Sequence, residues 1–240
     1  MATRKTRVRN ADITPSVRTN VFDASPGSRF AAVELGYGLH ANPIFSSYLD
    51  LRTGVYAVQT EMLDLEALTY KVDIDDDDER ADGTVVLENR YPLPVAVACV
   101  RVIERLHSDN RPLPADALYG LNLPAGCAEI SRYIGRLDDP QHQMRALQEL
   151  WRSSIAHVRR IGVEDHVYAI VERPLERLLG MAGIGVSRVA EPIWLEEYQG
   201  VNLAIKLDPI ASAANLGGLA EIDALDVSEG AVRFWGEVEQ

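Results

Sequence analysis

The chain has 240 residues, 47% of them apolar and 25% charged, which is enough to bury a substantial core and ordinary for a soluble globular domain. Its formal net charge of −12 argues against nucleic-acid binding, which needs a clustered excess of Lys and Arg. No apolar run approaches the roughly 20 residues of a membrane helix.

Met1 to Asn10 carries Arg4, Lys5, Arg7 and Arg9 without a following apolar segment, so no secretory leader is expected and a cytoplasmic location is. Residues 1–28 mix polar, Pro and Gly residues without periodicity and read as an N-terminal arm that orders only against the body. Arg29 to Gly36 predicts a strand. From Asn42 to Leu63, apolar residues at Ile44, Tyr48, Leu51, Val55, Tyr56 and Val58 keep helical spacing after an Asn-Pro start. An acidic loop, Asp73 to Glu79, follows.

Thr84 to Glu88, Val95 to Ile103 and Ala128 to Ile134 predict strands, the first two as an antiparallel hairpin, with a Pro-rich stretch from Pro112 to Pro124 before the third. Met144, Leu147, Trp151, Ile155 and Val158 form the apolar stripe of a helix over 140–160. A strand over His166 to Val171, a short helix over Pro174 to Met181, and strands over Val186 to Pro192 and Val201 to Leu207 complete the pattern. The class is α/β (α+β), with residues 29–208 as the main domain and 209–240 as its C-terminal extension.

Cys99 and Cys127 sit in apolar surroundings without partners at metal-ligand spacing and read as buried free thiols. The five histidines form no paired ligand motif, so no metal is expected. In the acidic run the sixth position from Asp75 is Arg80 rather than Gly, so a calcium loop fails at its turn and a solvated loop is the default. Arg101 interrupts an apolar strand; a buried Arg is costly unless paired, so Glu129 or the acidic loop should meet it. In Cys127-Ala128-Glu129-Ile130-Ser131-Arg132-Tyr133, strand alternation places Glu129 and Ser131 on one face and Arg132 on the other. No P-loop, GxSxG or dinucleotide fingerprint appears.

Taken in order, Leu51-Arg52-Thr53-Gly54-Val55-Tyr56, the acidic loop, Val100-Arg101-Val102, Glu129-Ile130-Ser131-Arg132-Tyr133, the long helix and Val167-Tyr168-Ala169-Ile170-Val171 resemble the acyl-homoserine-lactone synthases, over about residues 45–195. The resemblance implies the N-acetyltransferase (GNAT) superfamily fold, a mixed, mostly antiparallel, splayed sheet flanked by helices. It implies transfer of a fatty acyl group from acyl carrier protein, or acyl-CoA, to an amine, as in autoinducer synthesis for quorum sensing from S-adenosylmethionine. The related N-acyl amino acid synthases use the same scaffold. No tightly bound cofactor is implied.

Carried over by position, Glu129 and Arg132 become catalytic, and Arg52, Asp75, Asp78, Arg101 and Ser131 bind the amine substrate, with Asp82 as an alternative register for either aspartate. Arg132 and Arg101 are expected to hold Glu129 ionised. The acyl chain is expected among Val100, Trp151, Ile155, Val167 and Ile170, and Arg145, Arg152 and Arg159, at seven-residue intervals on the long helix, are expected to dock the acidic carrier. Two departures from the family stand out. The family's tryptophan after the first helix is replaced by Glu61-Met62-Leu63, which weakens S-adenosylmethionine as acceptor. Ala169 stands where a Thr goes with 3-oxo-acyl preference. Gly135-Arg136 does not supply the Gly-x-Gly acetyl-CoA loop of ordinary acetyltransferases. A non-catalytic relative that binds a metabolite or a carrier, and a short-chain acyl-CoA acetyltransferase, are the remaining readings.

Overall fold

The computed structural model describes residues 18–20, 30–36, 43–66, 68, 71–88, 95–105, 110–198 and 200–217. The strands are β1 (Arg18–Asn20), β2 (Phe30–Gly36), β3 (Ala81–Glu88), β4 (Val95–Arg105), β5 (Cys127–Gly135), β6 (Val167–Glu172), β7 (Gly185–Arg188), β8 (Ile193–Leu195) and β9 (Gly200–Asp208). The helices are α1 (Pro43–Thr53), α2 (Pro114–Tyr119), α3 (Pro140–Arg160), α4 (Arg173–Met181) and α5 (Pro209–Asn215). A π turn, Gly54–Gln59, extends α1, and 3₁₀ turns span Asp76–Arg80 and Glu196–Tyr198.

The strands form one sheet in the order β1-β2-β3-β4-β5-β6-β9-β7, with β8 also on β9. Every pairing is antiparallel except β5 with β6. That parallel contact holds three residue pairs, Ala128 with Val167, Glu129 with Tyr168 and Ile130 with Ala169. Beyond it β5 continues to Gly135 and β6 to Glu172 without a shared ladder, so the sheet opens there.

Both faces of the sheet are covered, which is why the central strand β4 is buried from Ala96 through Glu104. On one face α3 lays Leu147, Leu150, Trp151, Ile155 and Val158 against Val86, Val100, Val102 and Ile130. The Asp139 carboxylate caps α3 by accepting from the Gln141 and His142 N–H groups, and Pro140 fills the first position. On the other face α1 packs Ile44, Phe45, Tyr48 and Leu51 against Val33, Val85 and Cys99. There α2 packs near Ile103, Cys127 and Tyr168.

The structure departs from the sequence reading in particular places. The expected helix over 42–63 ends at Thr53 and loosens into the π turn. The Pro-rich stretch holds α2, begun by Pro114 and ended by Gly120 at φ 62°, where glycine is favoured. The acidic run is an ordered 3₁₀ turn with Asp78 and Arg80 buried, because arginines neutralise it. Strand β7 is shorter than predicted, β9 reaches one residue beyond each end of its predicted span, and β8 and α5 are additional. Cys99 and Cys127 are buried free thiols. Of the expected N-terminal arm only Arg18–Asn20 is described, paired to β2, and the C-terminal extension is described as far as residue 217. Among the described residues no helix is long and apolar enough to cross a membrane.

Candidate active site

The strand β5 carries an extra residue. Arg101 pairs with Ser131 and Cys99 with Ile134, so Arg132 and Tyr133 together oppose Val100. Arg132 absorbs the bulge at φ 54°, a left-handed conformation uncommon for a non-glycine residue. The bulge corrects the expectation from simple alternation. The Arg132 guanidinium lies on the same side as Ser131, among the aspartates beneath α1.

Three arginines and three aspartates alternate there. Arg52, on the last turn of α1 and fully buried, donates from Nε to Asp73 (3.1 Å) and from both terminal nitrogens to Asp78 (2.7 and 3.2 Å). Arg132 grips Asp73 bidentately, at 2.8 and 3.0 Å. Arg101 donates from Nε to Ser131 Oγ (3.0 Å) and from Nη1 to Asp75 (2.7 Å), with Asp78 at 3.2 Å. The acidic turn therefore supplies the partners Arg101 needed. Tyr48 Oη accepts from Arg52 at 3.2 Å, and the Tyr56 ring lies 4.8 Å from the Arg132 guanidinium carbon.

Burial opposes ionisation of Asp73, yet Arg52 and Arg132 outweigh it and hold this carboxyl well below the usual carboxylate range. Burial likewise disfavours the Arg132 cation, and Asp73 more than reverses the effect. Asp73 is the residue the sequence reading missed; flanked by Val72 and Ile74, it had the apolar neighbours of a buried acid. Asp82, the alternative, lies elsewhere, with its carboxylate 3.7 Å from His157.

Glu129 behaves differently. It is 1% exposed, and its Oε2 accepts from the Ala115 N–H of α2 at 2.7 Å. Burial pushes its pKa up to about 7, against partial opposition from that N–H and from Arg101. This reverses the expectation that Arg101 and Arg132 keep it firmly ionised. Both arginines spend their short contacts on aspartates and Ser131. The result is a carboxylate poised to exchange a proton near neutrality.

Where β5 and β6 part, Glu129, Ser131 and Arg132 face Ile170, Val171 and Glu172 across a cleft of about 170 Å³. Tyr56, Met62, Leu175, Tyr198 and Asn202 complete its walls. Of the five residues expected around an acyl chain, Val100, Trp151, Ile155 and Val167 lie together in the core beneath α3. Ile170 is on the cleft side. Trp151 also lines a second, small apolar pocket with Tyr133, Leu147, Leu178 and Ile184, bounded like the cleft by α4. Arg145 and Arg152 border a polar hollow with Gln148, Glu149 and Asn215; Arg152 lies 3.6 Å from Glu149, and Arg159 is a further two turns along α3.

Among the described residues one group has metal-ligand proximity: Asp82, Glu104 and His157. His157 Nε2 lies 3.1 Å from Glu104. Arg160, always a donor, reaches His157 Nδ1 at 3.3 Å, which leaves the ring proton on Nε2 to donate to Glu104. That arrangement suits a hydrogen-bonded chain, and a metal on Nε2 would need the proton removed.

The cleft in a splayed sheet, the alternating ions beneath α1 and the near-neutral buried carboxylate sit together on one α/β scaffold. Solved structures place that scaffold. LasI, an acyl-homoserine-lactone synthase, superposes with a TM-score of 0.59 at 14% identity, over 79% of this chain and 94% of LasI. BjaI, a CoA-dependent acyl-homoserine lactone synthase held with SAM and isopentyl-CoA, gives 0.58 at 16%, over 78% and 89%. TofI, in a ternary complex with an inhibitor and MTA, gives 0.57 at 16%, over 88% and 99%. No protein-family model and no curated protein sequence matches the chain. The fold is that of the acyl-homoserine lactone synthases.

Proposed function

We propose that the protein is an N-acyltransferase that moves a fatty acyl group from a carrier-bound thioester to the amine of a small metabolite. The observation that carries this reading is Glu129, a buried carboxylate with a pKa of about 7 on the wall of the β5–β6 cleft. The amine nitrogen attacks the thioester carbon, the carbon–sulfur bond breaks, and the thiolate leaves. Glu129 accepts the proton the amine sheds. An α-amino group has an ordinary pKa of about 8, so a base of nearly matched strength suffices. The tetrahedral oxyanion would form where the β5–β6 ladder ends, a place where backbone N–H groups can stabilise it. Arg132, fixed by Asp73 and by the Tyr56 ring, orders the polar wall.

The donor is acyl carrier protein in this reading. A helix N-terminus ordinarily offers N–H groups to a diphosphate. At α3 the Asp139 carboxylate already occupies those of Gln141 and His142, and Pro140 has none. That disfavours CoA at this helix, while Arg145, Arg152 and Arg159 offer positive charge to an acidic carrier. The acceptor is S-adenosylmethionine in the form that yields an acyl-homoserine lactone. The N-acyl amino acid form is favoured by Met62, which lines the cleft and follows from the missing family tryptophan.

Mass spectrometry of organic extracts from cells expressing the protein, and in parallel its Glu129→Gln variant, tests the proposal. A new acyl-homoserine lactone or acyl amino acid that disappears in the variant names the acceptor. Equal yields from both would remove Glu129 as the base. The absence of any new lipid amide, with carrier binding intact, would leave a non-catalytic binder.

A further inference from the structure

One carboxylate on the cleft wall meets no cation among the described residues. Glu172 ends β6 and lines the cleft with Glu129, Ser131 and Arg132. Glu129 pairs with Tyr168, and alternation along β6 puts Ile170 and Glu172 on the face that Tyr168 and Glu129 share. Glu172 stands at the N-cap of α4, yet its side chain accepts from none of that helix's N–H groups, and it forms no hydrogen bond or ion pair with any other described residue. The cation of the cleft is committed elsewhere. Arg132 grips Asp73 at 2.8 and 3.0 Å, keeps Asp75 at 3.5 Å and lies over the Tyr56 ring.

A second oxygen stands beside it. Asn202 faces Glu172 across the last rung of the β6–β9 ladder and is 4% exposed. Its Nδ2 donates to the Gly200 carbonyl at 2.9 Å, and its Oδ1, which makes no hydrogen bond among the described residues, is an acceptor on the cleft wall. A Cβ on Gly200 would lie 3.7 Å from Glu172 Oε1 and 3.8 Å from Asn202 Nδ2, so both side chains converge over this glycine. A carboxylate and an amide oxygen at one place in a partly enclosed cleft suit an ammonium group, which brings three donors and no acceptor. Glu172 follows Tyr168 by four residues and so lies about 13 Å along the strand from the rung that holds Glu129. A molecule that gives its reacting nitrogen to Glu129 and a cation to Glu172 therefore carries the two several carbons apart.

We propose that Glu172 and Asn202 form a subsite for a second, cationic nitrogen of the acceptor, so that the molecule acylated is a diamine of the lysine type. This rests on the acyltransferase reading for the fate of the first nitrogen, and on the cleft wall alone for recognition of the second. The first nitrogen is the one whose proton passes to Glu129. The second keeps its protons and donates them to the Glu172 carboxylate and Asn202 Oδ1. One charge-assisted pair of this kind corresponds to about a tenfold preference over an uncharged tail.

The test uses the full-length protein with lysine and cadaverine, against norleucine and pentylamine, their counterparts with uncharged tails. S-adenosylmethionine is included because its sulfonium carries charge without a hydrogen to donate. Binding is measured by calorimetry in the absence of donor, and transfer from acyl carrier protein by the amide product, in the native protein and in Glu172→Gln. Selection of the two diamines over their counterparts by about tenfold in kcat/KM, with that ratio lost in Glu172→Gln, supports the proposal. Equal kcat/KM for charged and uncharged tails, a ratio unchanged in Glu172→Gln, or preferential acylation of S-adenosylmethionine would overturn it and leave the acyltransferase reading in place. Lysine binding that Glu172→Gln abolishes, with no amide from any acceptor, would uphold the subsite and sink the acyltransferase reading. Neither binding nor product with any of these amines would overturn both.

Discussion

Two carboxylates in one site are pushed in opposite directions, and each predicts its own pH behaviour. Glu129 is lifted from an ordinary 4.5 to about 7 by burial. The rate is therefore expected to rise with pH through an inflection near 7, and Glu129→Gln should remove that inflection along with most turnover. Because the folded protein holds this proton more tightly than the unfolded chain, Glu129 favours folding below about pH 4.5 and loses that contribution as pH rises through 7. The loss is on the order of 3 kcal/mol. Denaturant midpoints across that window should fall with pH in the native protein and flatten in Glu129→Gln. Asp73 carries the opposite sign: its carboxyl is held low by Arg52 and Arg132, so its contribution is present above the ordinary aspartate range and lost as pH falls below it. Asp73→Ala takes the bidentate partner from Arg132, which keeps only Asp75 at 3.5 Å, and one of two carboxylates from Arg52, and should cost about 3 kcal/mol in urea unfolding. A loss under about 1 kcal/mol would show that the ion cluster is not a structural keystone.

At the scale of elements, strand β3 and helix α1 approach closely at Gly83. A Cβ on Gly83 would lie 3.1 Å from Tyr48 Cζ and 3.2 Å from its hydroxyl. Gly83→Ala should push Tyr48 off Arg52 and lower stability by about 1–3 kcal/mol, read as a drop in Tm. An unchanged Tm would mean α1 yields without strain. Such close fits were invisible in the sequence, whereas α3 was legible because its stripe from Leu147 to Val158 needs no knowledge of partners. Arg52, Asp75, Asp78, Arg101, Glu129 and Arg132 were named through the resemblance to a family, and the fold gathers Arg52, Asp75, Asp78, Arg101 and Arg132 into one ion cluster with Glu129 beside it on the cleft wall. The face on which Arg132 falls was not, because one extra residue in β5 reverses alternation and nothing local announces it. Asp73 was hidden in a run with five other acids, since only the folded position of Arg52 and Arg132 separates a buried aspartate from a solvated one. Helix α2 was masked by the prolines that start it.

For the whole molecule, the proposed transfer from an acidic carrier to an acidic protein requires positive charge presented locally, and α3 carries regularly spaced arginines. Charge reversal in Arg145→Glu is expected to raise KM for acyl carrier protein severalfold and to weaken its salt dependence, while transfer from a small pantetheine thioester stays as before. Equal effects on both donors would place Arg145 outside the carrier interface. The parallel contact between β5 and β6 has a further consequence. Among the described residues, three residue pairs are the sheet pairing that joins β1 through β5 to β6 through β9, and the chain passes between these halves at the turn after α3. Glu129 and Arg132 belong to one half, Ile170 and Glu172 to the other. Residues 1–164 and 165–240, produced as separate polypeptides, should thus reassociate through the exposed face each leaves uncovered, and neither should transfer an acyl group alone. Amide product on mixing would make this enzyme a split reporter whose signal is its own reaction.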